Sequence, residues 1–255
     1  NIANKMGISN NSPYRIEAGL KFIIMEFAGD GHCYVPKEEL IHKSSKLLNV
    51  DVELLEDSIR ELALKNSFYI VNNGEEINVY YAPYHIAENN VAKKIVELSR
   101  VEFDELTVDA DKKIKKFEED NNINFGNKQK MAIKESLENG FLIITGGPGT
   151  GKTTTINAII NICEDLELQV VLAAPTGRAA KRMTETTGRE AKTIHRLLEI
   201  SFVEENSGFD RDEDNPIEAD IIIIDEASMI DILLMNSLVK AINPGTKVIL
   251  VGDID

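Results

Sequence analysis

The sequence has no tryptophan and only two cysteines among its 255 residues. Cys33 and Cys163 stand in unrelated segments, without CxxC spacing or a histidine-rich neighbourhood. That excludes a disulfide framework and a thiolate zinc site and leaves two buried thiols as the expectation. No apolar run approaches the roughly 20 residues needed to cross a bilayer. The N-terminal NIANKMGISN also lacks the basic-then-apolar layout of a secretory signal. A cytoplasmic protein with no membrane partner is expected. Positive charge is scarce: 28 Lys and Arg face 43 Asp and Glu, a formal net charge of −15. Such a surface repels polyanions as a whole, so any contact with nucleic acid must be local.

What the sequence does contain falls into two regimes. Residues 14–28 carry apolar side chains at helical spacing and end at Gly-Asp-Gly; a second helix is expected from Lys37 and a third from Val52 to about Leu64. "SFYIVNNGEEINVYYAP" then gives two β-rich runs around Asn-Gly, the signal for a hairpin. Three helices and a hairpin are the layout of a winged helix, here 14–83. Its third helix carries Glu53, Glu56, Asp57 and Glu61 against Arg60 and Lys65, so phosphate would be repelled and a scaffolding, protein-docking role is preferred to DNA reading. Residues 84–122 read as a charged helical linker. From 123 onward, buried strands alternate with helices: strands at 141–145, 169–174, 220–225 and 247–251 predict a parallel sheet covered on both faces, an α/β nucleotide-binding core.

The chemistry lies in that second part. "GGPGTGKT", 146–153, fits the phosphate-loop pattern between a strand and a helix. Gly147, Pro148, Gly149, Thr150, Gly151, Lys152, Thr153 and Thr154 are the expected ATP-binding residues. The glycines turn backbone N–H groups toward phosphate, Lys152 reaches the β and γ oxygens, and the Thr153 hydroxyl can ligate Mg²⁺. In "ADIIIIDEAS" the charges come only at the end of an aliphatic strand, where open α/β sheets bind ligands. Asp225 is expected to hold Mg²⁺ through water and Glu226 to orient and deprotonate the attacking water. Gln129, 17 residues before the loop, offers an amide suited to the adenine edge.

"AAPTGRAAKRM" follows the second strand and opens a basic stretch: six basic residues against two acidic between Arg178 and Arg196. Its Thr-Gly turn and helix start offer donors for a phosphodiester, against the plainer alternative of a solvated amphipathic helix. His195, in "KTIHRLL", is by itself as well explained by packing. The acidic run 204–220 reads as a solvated or mobile loop.

Taken together, "GGPGTGKTTT", "APTGRAAKRM", "TIHRLL", "DEASM" and "VGDID" resemble motifs I, Ia, the following signature, II and the start of III of RecD/TraA-type superfamily 1 DNA helicases. The resemblance implies a RecA-like first motor domain over 123–255. It also implies ATP- and Mg²⁺-dependent 5′ to 3′ movement on single-stranded DNA, and unwinding at duplex junctions in repair and recombination. By it, Gln129 matches the Q motif; Lys152, Asp225 and Glu226 match the catalytic set, with Thr153 and Asp225 toward the metal; and Pro175, Thr176, Gly177 and Arg178 match DNA-contacting motif Ia. His195 falls in the family signature. Residues 1–13 resemble the end of a helix-hairpin-helix region of the stand-alone branch. The sequence stops short of the family's motif III glutamine and second motor domain, so 1–255 alone is expected to hydrolyse ATP poorly and to unwind nothing. The competing expectations are a P-loop ATPase that remodels protein and an ATP-gated binding module.

Overall fold

The structure is a computed structural model in which residues 9–101, 103, 109–200 and 208–253 are described. The expected helix-hairpin-helix remnant within 1–8, the 204–207 part of the acidic loop and the last two residues of "VGDID" lie outside them. The chain divides into two compact units, Asn1–Asn90 and Val91–Asp255.

In the first unit α1 (Pro13–Gly29) begins with a proline, tolerated there because the first helical N–H has no intrahelical partner. β1 (Tyr34–Pro36), α2 (Lys37–Leu48), α3 (Val52–Leu64), β2 (Phe68–Asn72) and β3 (Ile77–Tyr81) follow. The three strands form an antiparallel sheet in the order β1-β3-β2. Ile16, Leu20, Ile23 and Ile24 of α1 meet Leu40, Leu55, Ile59, Phe68 and Val79 in one apolar core, as the helical spacing requires. The Asn72 and Asn73 side chains accept from the N–H groups of Gly74, Glu75 and Glu76, which fixes the hairpin turn.

α4 (Ala82–Ser99) follows β3. The span 84–122 holds buried anchors as well as charge: Leu98 and Ile114, the latter on α5 (Ala110–Asn121), are 0% and 1% exposed in the cores of the second unit.

That second unit is built on five parallel strands in the order β4-β8-β7-β5-β6. They are β4 (Phe141–Thr145), β5 (Val170–Ala174), β6 (Ala191–Thr193), β7 (Ile221–Ile224) and β8 (Lys247–Gly252). The helices are α6 (Asn127–Glu138), α7 (Lys152–Glu164), α8 (Gly177–Thr187), α9 (Ile194–Leu197) and α10 (Ile232–Lys240). β7 shows why the sheet is covered on both faces: Ile221 and Ile223 pack with α6 and α7, while Ile222 and Ile224 pack with α9 and α10. All four are fully buried. Lys247, at the start of β8, is buried as well. Its ammonium donates to the Leu137 carbonyl at 2.9 Å and sits 3.4 Å over the Phe103 ring. Burial pushes its pKa down to about 8. The 208–220 part of the acidic loop is pinned rather than merely solvated, since Arg211 pairs with Glu199 at 2.9 Å and Ile217 is buried. No helix among the described residues is long and apolar enough to cross a membrane.

Candidate functional site

Because the five strands are parallel, their C-terminal ends share one edge. Thr145 pairs with Gly252, Ile224 with Leu250, Ala173 with Ile224 and Ala174 with Thr193. Crossing the sheet, the segments that leave this edge are therefore the 146–153 loop, Asp253, Asp225-Glu226, Pro175–Arg178 and the His195-Arg196 turn.

The loop turns back on itself at Gly149 (φ +75°) and Gly151 (φ +83°), left-handed conformations in which a side chain would be strained. Thr150 Oγ1 donates to the Gly147 carbonyl at 2.8 Å, closing the loop. The first amides of α7, those of Lys152, Thr153 and Thr154, have no intrahelical acceptor and point out of the helix start, where the helix dipole is positive. Gln129 ties this loop to the start of α6. Its Oε1 accepts from Gly126 N–H at 2.8 Å and its Nε2 donates to the Thr150 carbonyl at 3.2 Å. The amide that the sequence reading aims at adenine thus has one end on each of two backbone segments. A β-carbon on Gly151 would collide with that amide.

The Lys152 ammonium donates to the Gly146 carbonyl, to the Gly147 carbonyl at 3.3 Å and to Asp253 Oδ1 at 2.5 Å. Asp253 is a site residue that the sequence reading passes over, although the signal was present: like Asp225 it is the first carboxylate after a buried aliphatic strand.

Asp225 leaves β7 with its N–H bonded to the Ala173 carbonyl, and its Oδ1 accepts from Glu226 N–H at 2.9 Å. Glu226 takes a left-handed backbone conformation, φ +54°, costly for a residue with a β-carbon and a form of strain that clusters at functional sites. That turn aims the Glu226 carboxylate at Arg182 of α8, 3.7 Å from its guanidinium. Among the described residues, the hydroxyls of Thr153 and Thr154 and the second oxygen of Asp225 make no hydrogen bond.

Beyond the acidic pair, Thr176 caps α8 by accepting from Ala179 N–H at 3.2 Å, and Thr193 caps α9 by accepting from Arg196 N–H at 3.2 Å. The amides of Gly177 and Arg178 at the open end of α8 have no helical acceptor. Pro175 precedes the cap, at the end of β5. His195 is exposed, with only a tilted contact to the Phe209 ring at 5.9 Å, so packing does not explain it. The six basic residues of this stretch do not act as one patch. Arg189 is spent on Glu164, with bonds of 2.9 and 2.5 Å, and joins α7 to the end of α8. The Arg189 guanidinium holds the Glu164 carboxyl below the usual range. Arg182 faces Glu226, and Lys181 lies 3.8 Å from Glu185. Arg178, Lys192 and Arg196 form no ion pair among the described residues and are exposed.

Residues 129–255 match the family described as the AAA domain. The chain is similar to the ATP-dependent RecD2 DNA helicase of Deinococcus radiodurans, 44% identical over 127 residues, which is 50% of this chain and 17% of that protein. It is similar also to the RecBCD enzyme subunit RecD of Haemophilus influenzae, 34% identical over 49% of this chain and 23% of the relative. The ATP-dependent DNA helicase dda of Enterobacteria phage T4 is 38% identical over 48% of this chain and 28% of the relative. The aligned part thus spans well under a third of each of these relatives. The second half of the chain is thus similar to RecD-type helicases, and its parallel five-stranded sheet is consistent with a RecA-like P-loop fold.

Proposed function

We propose that this chain supplies the first motor domain of an ATP-dependent DNA helicase that moves on single-stranded DNA, 5′ to 3′ by family resemblance, and opens duplex at junctions. The observation that carries the reading is the order of groups along one sheet edge. A phosphate loop stands at one end, an acidic pair follows the middle strand, and arginines with no ion pair among the described residues stand beside open helix amides toward the other end.

ATP is the substrate of the loop. The backbone from Gly147 to Gly151 and the free amides of Lys152, Thr153 and Thr154 bind its phosphates, and Lys152 exchanges its loop carbonyls and Asp253 for the β and γ oxygens. The Thr153 hydroxyl and the open Asp225 oxygen fit Mg²⁺, which when bound shields phosphate charge. Glu226 orients the attacking water and takes its proton. Gln129 holds the loop in register with α6. Thr176, Gly177 and Arg178, with His195 and Arg196 on the neighbouring strand end, grip the DNA backbone, where Arg forks suit phosphate oxygens. Pro175 stops β5 so that the grip starts at the sheet edge. The acidic α3 argues that the first unit docks a protein partner rather than DNA.

The reading is tested by unwinding of 5′-tailed and 3′-tailed duplexes by the complete protein. ATP-dependent opening of the 5′-tailed duplex alone is expected. ATP turnover without opening of either duplex would contradict it.

A further inference from the structure

Arg182 stands apart from the other basic residues of its helix. It lies one turn beyond Arg178, so the two share a face of α8, and its guanidinium is 3.7 Å from Glu226 Oε1 while its side chain remains 70% exposed. Glu226 reaches that position from a left-handed backbone turn that fixes the direction of its side chain.

We infer that Arg182 is a positioning residue through which nucleic acid controls the hydrolytic carboxylate; the inference rests on the function proposed above. The Arg182 guanidinium, paired with one Glu226 oxygen, draws the carboxylate toward α8 and holds its orientation. A DNA phosphate bound by the Arg178 side chain at the start of α8 lies one helical turn from Arg182 on the same face. Arginine binds phosphate in the same fork geometry with which it binds carboxylate, so phosphate and Glu226 compete for one guanidinium. Without DNA, Arg182 restrains Glu226. With DNA, it turns to the phosphate and frees the carboxylate for water. An exposed ion pair is weak enough to be exchanged in this way, and the restraint is correspondingly modest.

The test is the kcat and KM for ATP of the complete protein, with and without saturating single-stranded DNA, for wild type, Arg182→Ala and Arg182→Lys. Arg182→Ala is expected to raise the DNA-free kcat about two- to fivefold, the scale of one exposed ion pair, with KM for ATP unchanged. The ratio of DNA-bound to DNA-free turnover then falls, and Arg182→Lys, which keeps the charge but not the fork, lies between. A DNA-free kcat equal to that of wild type, or rates lowered together at a constant ratio, would overturn the coupling while leaving the motor reading intact. A wild type whose turnover ignores DNA would overturn both.

Discussion

Lys152 Nζ lies 2.5 Å from Asp253 Oδ1, joining the helix that follows the phosphate loop to the end of the strand beside it. The Lys152 side chain is only 20% exposed, so the carboxylate occupies the cation that a phosphate must claim. Asp253→Asn keeps the shape and removes the competing charge. Tighter nucleotide binding follows, by about fivefold on the scale of one partly exposed charged hydrogen bond, read by titration with a fluorescent ATP analogue. Weaker binding would show instead that Asp253 holds Lys152 in place for the phosphate.

Lys152→Ala in the complete protein is expected to abolish ATP hydrolysis. The loop itself is closed by Thr150 on the Gly147 carbonyl and by Gln129 on Thr150, so the melting temperature should move little. Retained turnover, measured beside a thermal melt that shows a folded protein, would refute the role given to the lysine.

Gln129→Ala removes the tether between Gly126 and the Thr150 carbonyl. If that tether is its contribution, KM rises for ATP and GTP alike. A rise for ATP alone would return the amide to the adenine edge, where the sequence first suggests it.

The division of labour among the arginines was not legible in the sequence, and the reason is physical. Strands and helices announce themselves locally: four consecutive isoleucines between polar ends, glycines before a Lys-Thr pair, and Thr176 at a helix start all state their local structure. The lateral order of strands does not. That β8 lies between β4 and β7, bringing Asp253 to Lys152, depends on contacts distant in the chain. The same holds for Arg189 with Glu164 and Arg182 with Glu226, which a count of basic residues assigns to DNA without distinction. The buried anchor in α4 was hidden for a related reason. The helix's charge pattern reads as solvated, whereas Leu98 is fully buried in the core.

Arg189→Ala should accordingly affect stability. Both side chains of this pair are more than a third exposed, and solvent screening limits the loss to about 1 kcal/mol. Chemical denaturation measures it, and affinity for single-stranded DNA should not change. A loss of DNA affinity at full stability would reassign the residue.

Lys247 gives the second unit a pH dependence in the alkaline range. Its folded pKa, about 8, lies below the ordinary 10.5, so between these values the unfolded chain holds a proton that the folded chain has released. Stability from this group therefore rises with pH through that window, is complete above it and is lost as pH falls through 8. Comparing denaturation of wild type and Lys247→Met across the window between these two values isolates the effect, because the variant lacks that slope. Parallel curves would contradict it.

The central claim is that one sheet edge joins an ATP site to a DNA grip, and the most direct measurement is steady-state ATPase of the complete protein against single-stranded DNA concentration, for wild type and the Arg178→Ala, Arg196→Ala double variant. The account predicts strong stimulation of wild type and a half-stimulating DNA concentration at least about tenfold higher in the variant, as two lost phosphate contacts require. A wild type indifferent to DNA, or a variant with the same half-stimulating concentration, would contradict it.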